Sequence, residues 1–318
     1  MRVGGRLLGV AIHCHPALGA GCYFFCGFAA ICSMPEAPNR PDPQSPAPQP
    51  QPRGRAALLA RHRWITFLLP LAVYMLVNSL EPLPDQAPGG GKIDPSALQQ
   101  SIPDQEEGES WWPSVPYEYY PIIYTAKIIL TLAAIIFILP GYREFPLRVS
   151  PLAVLVGMVG IVVWVGLCRL NLEQRLLVPL GLGRVVDLGA RSGFNPLEQL
   201  QHNPAWAWGF LAIRFAGLVI VVPLVEEFFL RGFLMRFVVD PKWWEVPMGK
   251  ANTWAVLLAT LVPMLMHPAE LLAAAAWFSM ITWMYVKTRN VWDCVAAHAV
   301  TNLLLGIYVV ATGEWQLM

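Results

Sequence analysis

Two adjacent carboxylates, Glu226 and Glu227, lie in an apolar run that reads from Gly217 to Met235, and Arg231 follows in the same run. A single Asp, Lys or Arg at the centre of a membrane helix costs about 2.5–3.5 kcal/mol, so three such groups crowded together must pair or do chemistry. On a helix Glu227 and Arg231 share a face and can form an ion pair that lowers the burial cost of both. Glu226 then points about 100° away. One carboxylate becomes support and the other is left for chemistry. Burial disfavours the charged form of a carboxylate, which suits Glu226 to accept and return protons near neutral pH.

Two more polar constellations follow. His267 closes the apolar segment that begins at Trp254 and is followed by Pro268 and Glu270. His298 and Asn302 stand four apart in the last apolar segment, so they project from one helical face and can aim two hydrogen-bond donors at one point. Such a pair suits an oxyanion in a water-poor site, or serves as polar glue between helices. Three polar clusters on three apolar segments in the last third of the chain point to one shared polar cavity rather than three separate staples.

The elements that must position these groups are membrane helices. Of 318 residues, 56% are hydrophobic and only 14% charged, with 13 Trp, a composition that marks an all-α, polytopic transmembrane helix bundle. The formal net charge of +1 and the lack of a basic patch argue against nucleic acid as a partner. Apolar windows at 64–80, 121–140, 151–168, 205–225, 254–267, 271–286 and 292–312 suggest about seven spans. Pro223, just before the carboxylates, predicts a kink in the long run 205–238. Arg53, Arg55, Arg61 and Arg63 before the first window, against the acidic segment 85–109 after it, place the N-terminus in the cytoplasm and, by alternation, the C-terminus outside. Trp111, Trp112, Tyr117, Tyr119, Tyr120, Trp243 and Trp244 read as interfacial anchors beside span ends.

The expected organisation has three parts: a tail at 1–63, helices and loops at 64–204, and a core at 205–318. The tail carries Cys14, Cys22, Cys26 and Cys32 and a Pro/Gln-rich stretch, and reads as disordered, as a signal or extra anchor, or as sequence upstream of a start at Met34. Its cysteine spacings match no zinc pattern, and Cys168 and Cys294 sit in apolar segments, so neither a disulfide framework nor structural zinc is expected.

Glu226-Glu227 with Arg231, then His267 at the end of the next apolar segment, then His298 and Asn302, resembles the CAAX-protease and bacteriocin-processing (CPBP, or Abi) family of intramembrane glutamic proteases. The resemblance covers about residues 205–312, and the stretches at 236–249 and 297–313 further look like the CAAX-protease-related branch associated with exosortase systems. It implies a multi-pass protein of the bacterial cell membrane that cleaves a protein or peptide substrate near its terminus, with membrane lipids as its surroundings. Glu226 and His267 would activate a water, His298 and Asn302 would hold the oxyanion, and Glu227 and Arg231 would support the site. The family carries Phe four residues before the second-motif His, where this chain has Pro263. That departure bears on how His267 is held. No cofactor is expected: two Glu and two His could in principle bind zinc, but neighbouring carboxylates on a regular helix do not both face one ion. Two other classes compete with the protease. A transporter would use Glu226, His267 and His298 as a proton relay, and an idle membrane scaffold would use them as staples.

Overall fold

The computed structural model describes residues 54–82, 115–177, 179–181 and 193–318, which belong to a single unit spanning 51–318. The four tail cysteines, Trp111, Trp112 and the acidic segment 85–109 lie outside the described residues. The described residues are helical, without strands. The principal helices are α1 (Arg55–Arg61), α2 (Ile65–Asn78), α3 (Tyr120–Tyr142), α4 (Pro151–Leu170), α5 (Pro204–Val239), α6 (Thr253–Leu265), α7 (Leu271–Thr288) and α8 (Val291–Thr312).

Every apolar window of the sequence lies on one of these helices. Among the described residues, length and composition alone license four crossings, by α3, α4, α5 and α8, or five if α1 and α2, bent by 98°, count as one broken span. The expected figure of about seven counted α6 and α7 as well. Helix α6 has 13 residues, short of the roughly 20 needed to span hydrocarbon.

Local chemistry sets the helix ends. Ser150, Asn203, Asn252 and Asn290 each accept a hydrogen bond from a backbone N–H in the first turn of the helix that follows. Pro151 and Pro204 occupy first-turn positions where the missing N–H costs nothing. Gly313 closes α8 in the left-handed region, with φ of 76°, a conformation glycine adopts without a side-chain clash.

Two clusters of buried apolar residues build the bundle, and α5 contributes to both. One gathers α4, α6, α7 and α8 around Trp277, Ile281 and Ala297, with Leu211, Leu230 and Met235 from α5. The other gathers α2 and α3 around Phe67, Tyr124 and Ile138, with Phe210, Val221, Val225 and Phe228 from α5. In lipid, helix association rests on close packing and interhelical hydrogen bonds, so small residues matter at contacts. Helix α4 lies so near α8 that a Cβ on Gly160 would fall 2.6 Å from Thr301 Oγ1 and from Trp277 Nε1. The aromatic residues expected at the interface divide. Tyr119 and Trp244 are exposed, whereas Tyr117, Tyr120 and Trp243 point inward into the second cluster.

The kink expected at Pro223 takes another form. Helix α5 runs through 36 residues, with π-helical stretches at Gly217–Val221 and Phe228–Leu234 on either side of an α-helical turn, Val222–Glu227. Pro223 sits in the first turn of that segment, where the π register before it absorbs the missing donor. The two glutamates occupy the α-helical turn between the wide ones. π-Bulges are rare and recur at functional sites.

Candidate active site

Glu227 is fully buried, and its carboxylate bridges two partners. Oε2 lies 2.9 Å from Arg231 Nη1, a charge contact off ideal hydrogen-bond geometry, and Oε1 lies 2.9 Å from His298 Nδ1. Arg231, also fully buried, gives Nη2 to Thr282 Oγ1 at 3.2 Å and to the Phe278 carbonyl at 3.4 Å, and its guanidinium lies over the Phe278 ring. Tyr285 in turn donates its hydroxyl to the Arg231 carbonyl at 2.9 Å. The i,i+4 ion pair expected from the spacing is present. The bond to His298 is an addition, because spacing within one helix carries no information about a partner 71 residues away. It locks α5 to α8 at the level of the carboxylates.

Glu226, on the same turn, faces elsewhere. It lines a cavity of about 510 Å³ together with His267, His298 and Asn302. The four side chains reach it from α5, the end of α6 and α8. Glu226 and His298 are buried, and His267 and Asn302 are half-buried.

Each of the three partners is held by a specific contact. His267 Nδ1 bonds to the carbonyl of Pro263 at 2.9 Å, which puts the lone pair of the neutral ring on Nε2. That carbonyl is in the last turn of α6 and also accepts the Met266 N–H at 3.0 Å. The departure at Pro263 therefore does not displace the histidine, since it is a main-chain atom that holds the ring. Trp164 and Phe278 flank His267 with ring centroids 5.6 and 5.9 Å away. Trp277 packs edge-on to His298 at 4.6 Å, and its indole N–H donates to Thr301 Oγ1 at 3.2 Å. Asn302 gives one N–H to the carbonyl of Leu218 at 2.8 Å. Leu218 belongs to the first π stretch of α5, where the wider turn takes carbonyls out of the usual ladder.

The cavity has a second polar wall that the motifs did not reveal. Lys127 of α3, almost fully buried, is paired with Glu81 and gives a hydrogen bond to Asn78 Oδ1 at 2.9 Å. Its ammonium lies over the rings of Tyr74 and Tyr124. Arg214 of α5, also buried, lines the same space. In the sequence Lys127 and Arg214 are lone cations in apolar segments, a signal of the same kind as the glutamate pair but without a recurring spacing. Among the described residues no three His, Cys, Asp or Glu side chains converge as metal ligands.

Residues 207–304 match the family described as type II CAAX prenyl endopeptidase Rce1-like. Through this segment the chain is similar to the CAAX protease family. The matched stretch contains all six motif residues, from Glu226 to Asn302, and the protease fold expected of it, a polytopic helix bundle, is the one observed. The chain is accordingly a CAAX-type protease whose substrate class is protein or peptide, on apolar helices that make it a multi-pass membrane protein. No curated protein and no solved structure matches it.

Proposed function

We propose that this protease hydrolyses a peptide bond near the terminus of a membrane-associated protein or peptide, using a water activated by Glu226 and His267. The observation that carries this reading is the meeting of Glu226, His267, His298 and Asn302 around one cavity inside an apolar bundle. Glu226 takes a proton from the water as its oxygen adds to the scissile carbonyl carbon. His267, with its neutral lone pair on Nε2, orients that water and shares the proton. The tetrahedral oxyanion accepts the second N–H of Asn302 and the Nε2–H of His298. Nδ1 of His298 is bonded to Glu227, which leaves Nε2 to face the oxyanion. Collapse of the intermediate breaks the C–N bond, and the proton held at Glu226 passes to the leaving amine. Glu227 and Arg231 position these groups and touch no substrate.

The reaction needs no metal in this scheme. Glu227, the second carboxylate of the pair, is engaged by Arg231 and His298, which favours protein-only catalysis over a zinc site. We place the N-terminus on the cytoplasmic side of a bacterial cell membrane, on the arginines that precede α2.

The test is Glu226→Gln, which keeps shape and removes the base. The expected loss is about 10²–10⁴-fold in cleavage, with an unchanged melting temperature. The measurement is mass spectrometry of membrane-protein termini from cells carrying the wild-type or the variant chain. Shortened termini that persist in the variant would remove Glu226 from the mechanism.

A further inference from the structure

A second cavity, of about 260 Å³, shares no lining residue with the catalytic one. Its wall is built from α1, the start of α2, the end of α3, the last turn of α5 and the loop that follows α5. Helix α2 begins there and α3 and α5 end there, so the cavity opens where these helices leave the bundle, on the side to which the arginines assign the N-terminus. Helix α1, bent 98° from α2, lies across the spanning direction. Trp244 on the wall and Trp64, next to Arg63, are exposed, as aromatic residues at the level of lipid headgroups are.

Two guanidiniums share this space, and no carboxylate pairs with either among the described residues. Arg236 is buried and donates from Nε to the Val246 carbonyl at 2.9 Å, from Nη1 to that of Gly232 at 3.0 Å and from Nη2 to that of Trp244 at 3.3 Å. These bonds fix the group in place and leave one N–H on each terminal nitrogen. The Arg63 side chain is exposed and makes neither a hydrogen bond nor an ion pair among the described residues. Arg63 lies 5.9 Å from the ring centroid of Trp244 and Arg236 lies 5.4 Å from that of Trp243, and the two indoles meet edge-on at 5.9 Å. Indole faces attract both cations, yet they supply no counter-charge. Glu144 lines the same cavity, so two positive groups face one negative group.

We propose that this cavity binds the phosphodiester of an anionic membrane lipid, with Arg236 as its fixed cation and Arg63 as the cation that closes over it. Guanidinium groups take phosphate oxygens through paired hydrogen bonds, and a single phosphodiester charge brings the lining to neutrality. Basic pockets between helices on the cytoplasmic side are where membrane proteins hold anionic headgroups. The place of the cavity at the helix ends favours a lipid over a free ion. Leu58 and Leu139, each next in the chain to a lining residue, are exposed, so acyl chains have an apolar flank to lie along. A lipid held there ties α1 to the end of α5.

The experiment is native mass spectrometry of the full chain in detergent micelles with equimolar dioleoyl phosphatidylglycerol and dioleoyl phosphatidylcholine, which share acyl chains and differ in headgroup charge. The anionic lipid is expected to be retained about fivefold or more over the zwitterionic one, the worth of one net basic residue at a lipid surface. That ratio should fall to near one in Arg63→Gln and stay unchanged in Arg148→Gln, which removes an exposed arginine of the α3–α4 loop that does not line the cavity. Arg63 holds no partner in the fold, and a ratio within one preparation does not move if a variant merely folds less well. Equal retention of the two lipids by the wild-type chain, including none of either, overturns the proposal. So does a preference that survives Arg63→Gln, or one that Arg148→Gln lowers as much, since that would be general attraction to a basic surface. Loss of the bound lipid in sodium phosphate but not in sodium chloride of equal ionic strength would give the cavity to a free anion and overturn the lipid assignment.

Discussion

The two glutamates differ by one position and by everything that surrounds them. Glu227 neutralises Arg231 and orients His298, so its loss leaves a fully buried guanidinium unpaired. Breaking such a pair from one side costs about 3–5 kcal/mol. Glu227→Gln is therefore expected to lower the melting temperature and the yield of folded protein, whereas Glu226→Gln is expected to change neither. Thermal denaturation of the two purified variants separates support from chemistry, and equal melting temperatures would refute the division. Asn302 makes a finer case. Replacing it with Ala removes one oxyanion donor and is expected to slow turnover by about 10²–10³-fold with little change in substrate affinity, which steady-state kinetics would resolve. A rise in KM at unchanged kcat would place Asn302 in substrate binding.

At the scale of elements, the site depends on how α5 is wound and how closely α4 meets α8. The π stretches on either side of the glutamates keep the helix continuous through Pro223, and the first of them supplies the Leu218 carbonyl that holds Asn302. Trp277, which packs against His298, is held by Thr301, whose hydroxyl lies 2.9 Å from the Gly157 carbonyl of α4. Gly160 leaves the room in which that contact forms. A methyl there must push Trp277 or Thr301 aside, and overpacking of this kind costs about 1–3 kcal/mol. Gly160→Ala is thus expected to reduce activity by disturbing His298 from a distance. Full activity in that variant would show that the tryptophan does not govern the histidine.

For the molecule as a whole, the residues after α8 fold back over the cavity. Leu317 and Met318 line it, and Arg214 donates to a main-chain oxygen of Met318. Glu314 anchors this return through Tyr308, whose hydroxyl donates at 2.8 Å, and Arg169 at 3.0 Å. Hydrogen bonds from Tyr308 and Arg169 hold the Glu314 carboxyl below its ordinary range. A carboxyl depressed by folding contributes stability above its unfolded value of 4.5, and that contribution disappears as pH falls through the folded value. The return should therefore stay in place at neutral pH and loosen only below the ordinary carboxylate range. A fluorophore at Gln316 would report the release, and Glu314→Gln should give the loosened signal at pH 7. A signal flat from pH 7 to pH 3 would show that Glu314 does not anchor the segment.

The sequence was enough to establish an all-helical membrane chain, because a low share of charge in long apolar runs has no other stable solution in lipid. It was also enough to pair Glu227 with Arg231 and to put His298 and Asn302 on one face, since helical periodicity is local. The number of crossings was less legible. Apolar windows mark buried helices and spanning helices alike, and α6 is too short to cross by itself. The bond from Glu227 to His298, the Pro263 carbonyl behind His267 and the place of Arg214 in the cavity wall join residues through space, or through main-chain atoms that side-chain patterns do not encode. Only the packing of α5 between two apolar clusters decided which face of each helix looks into the cavity, because that choice depends on contacts between segments far apart in the chain.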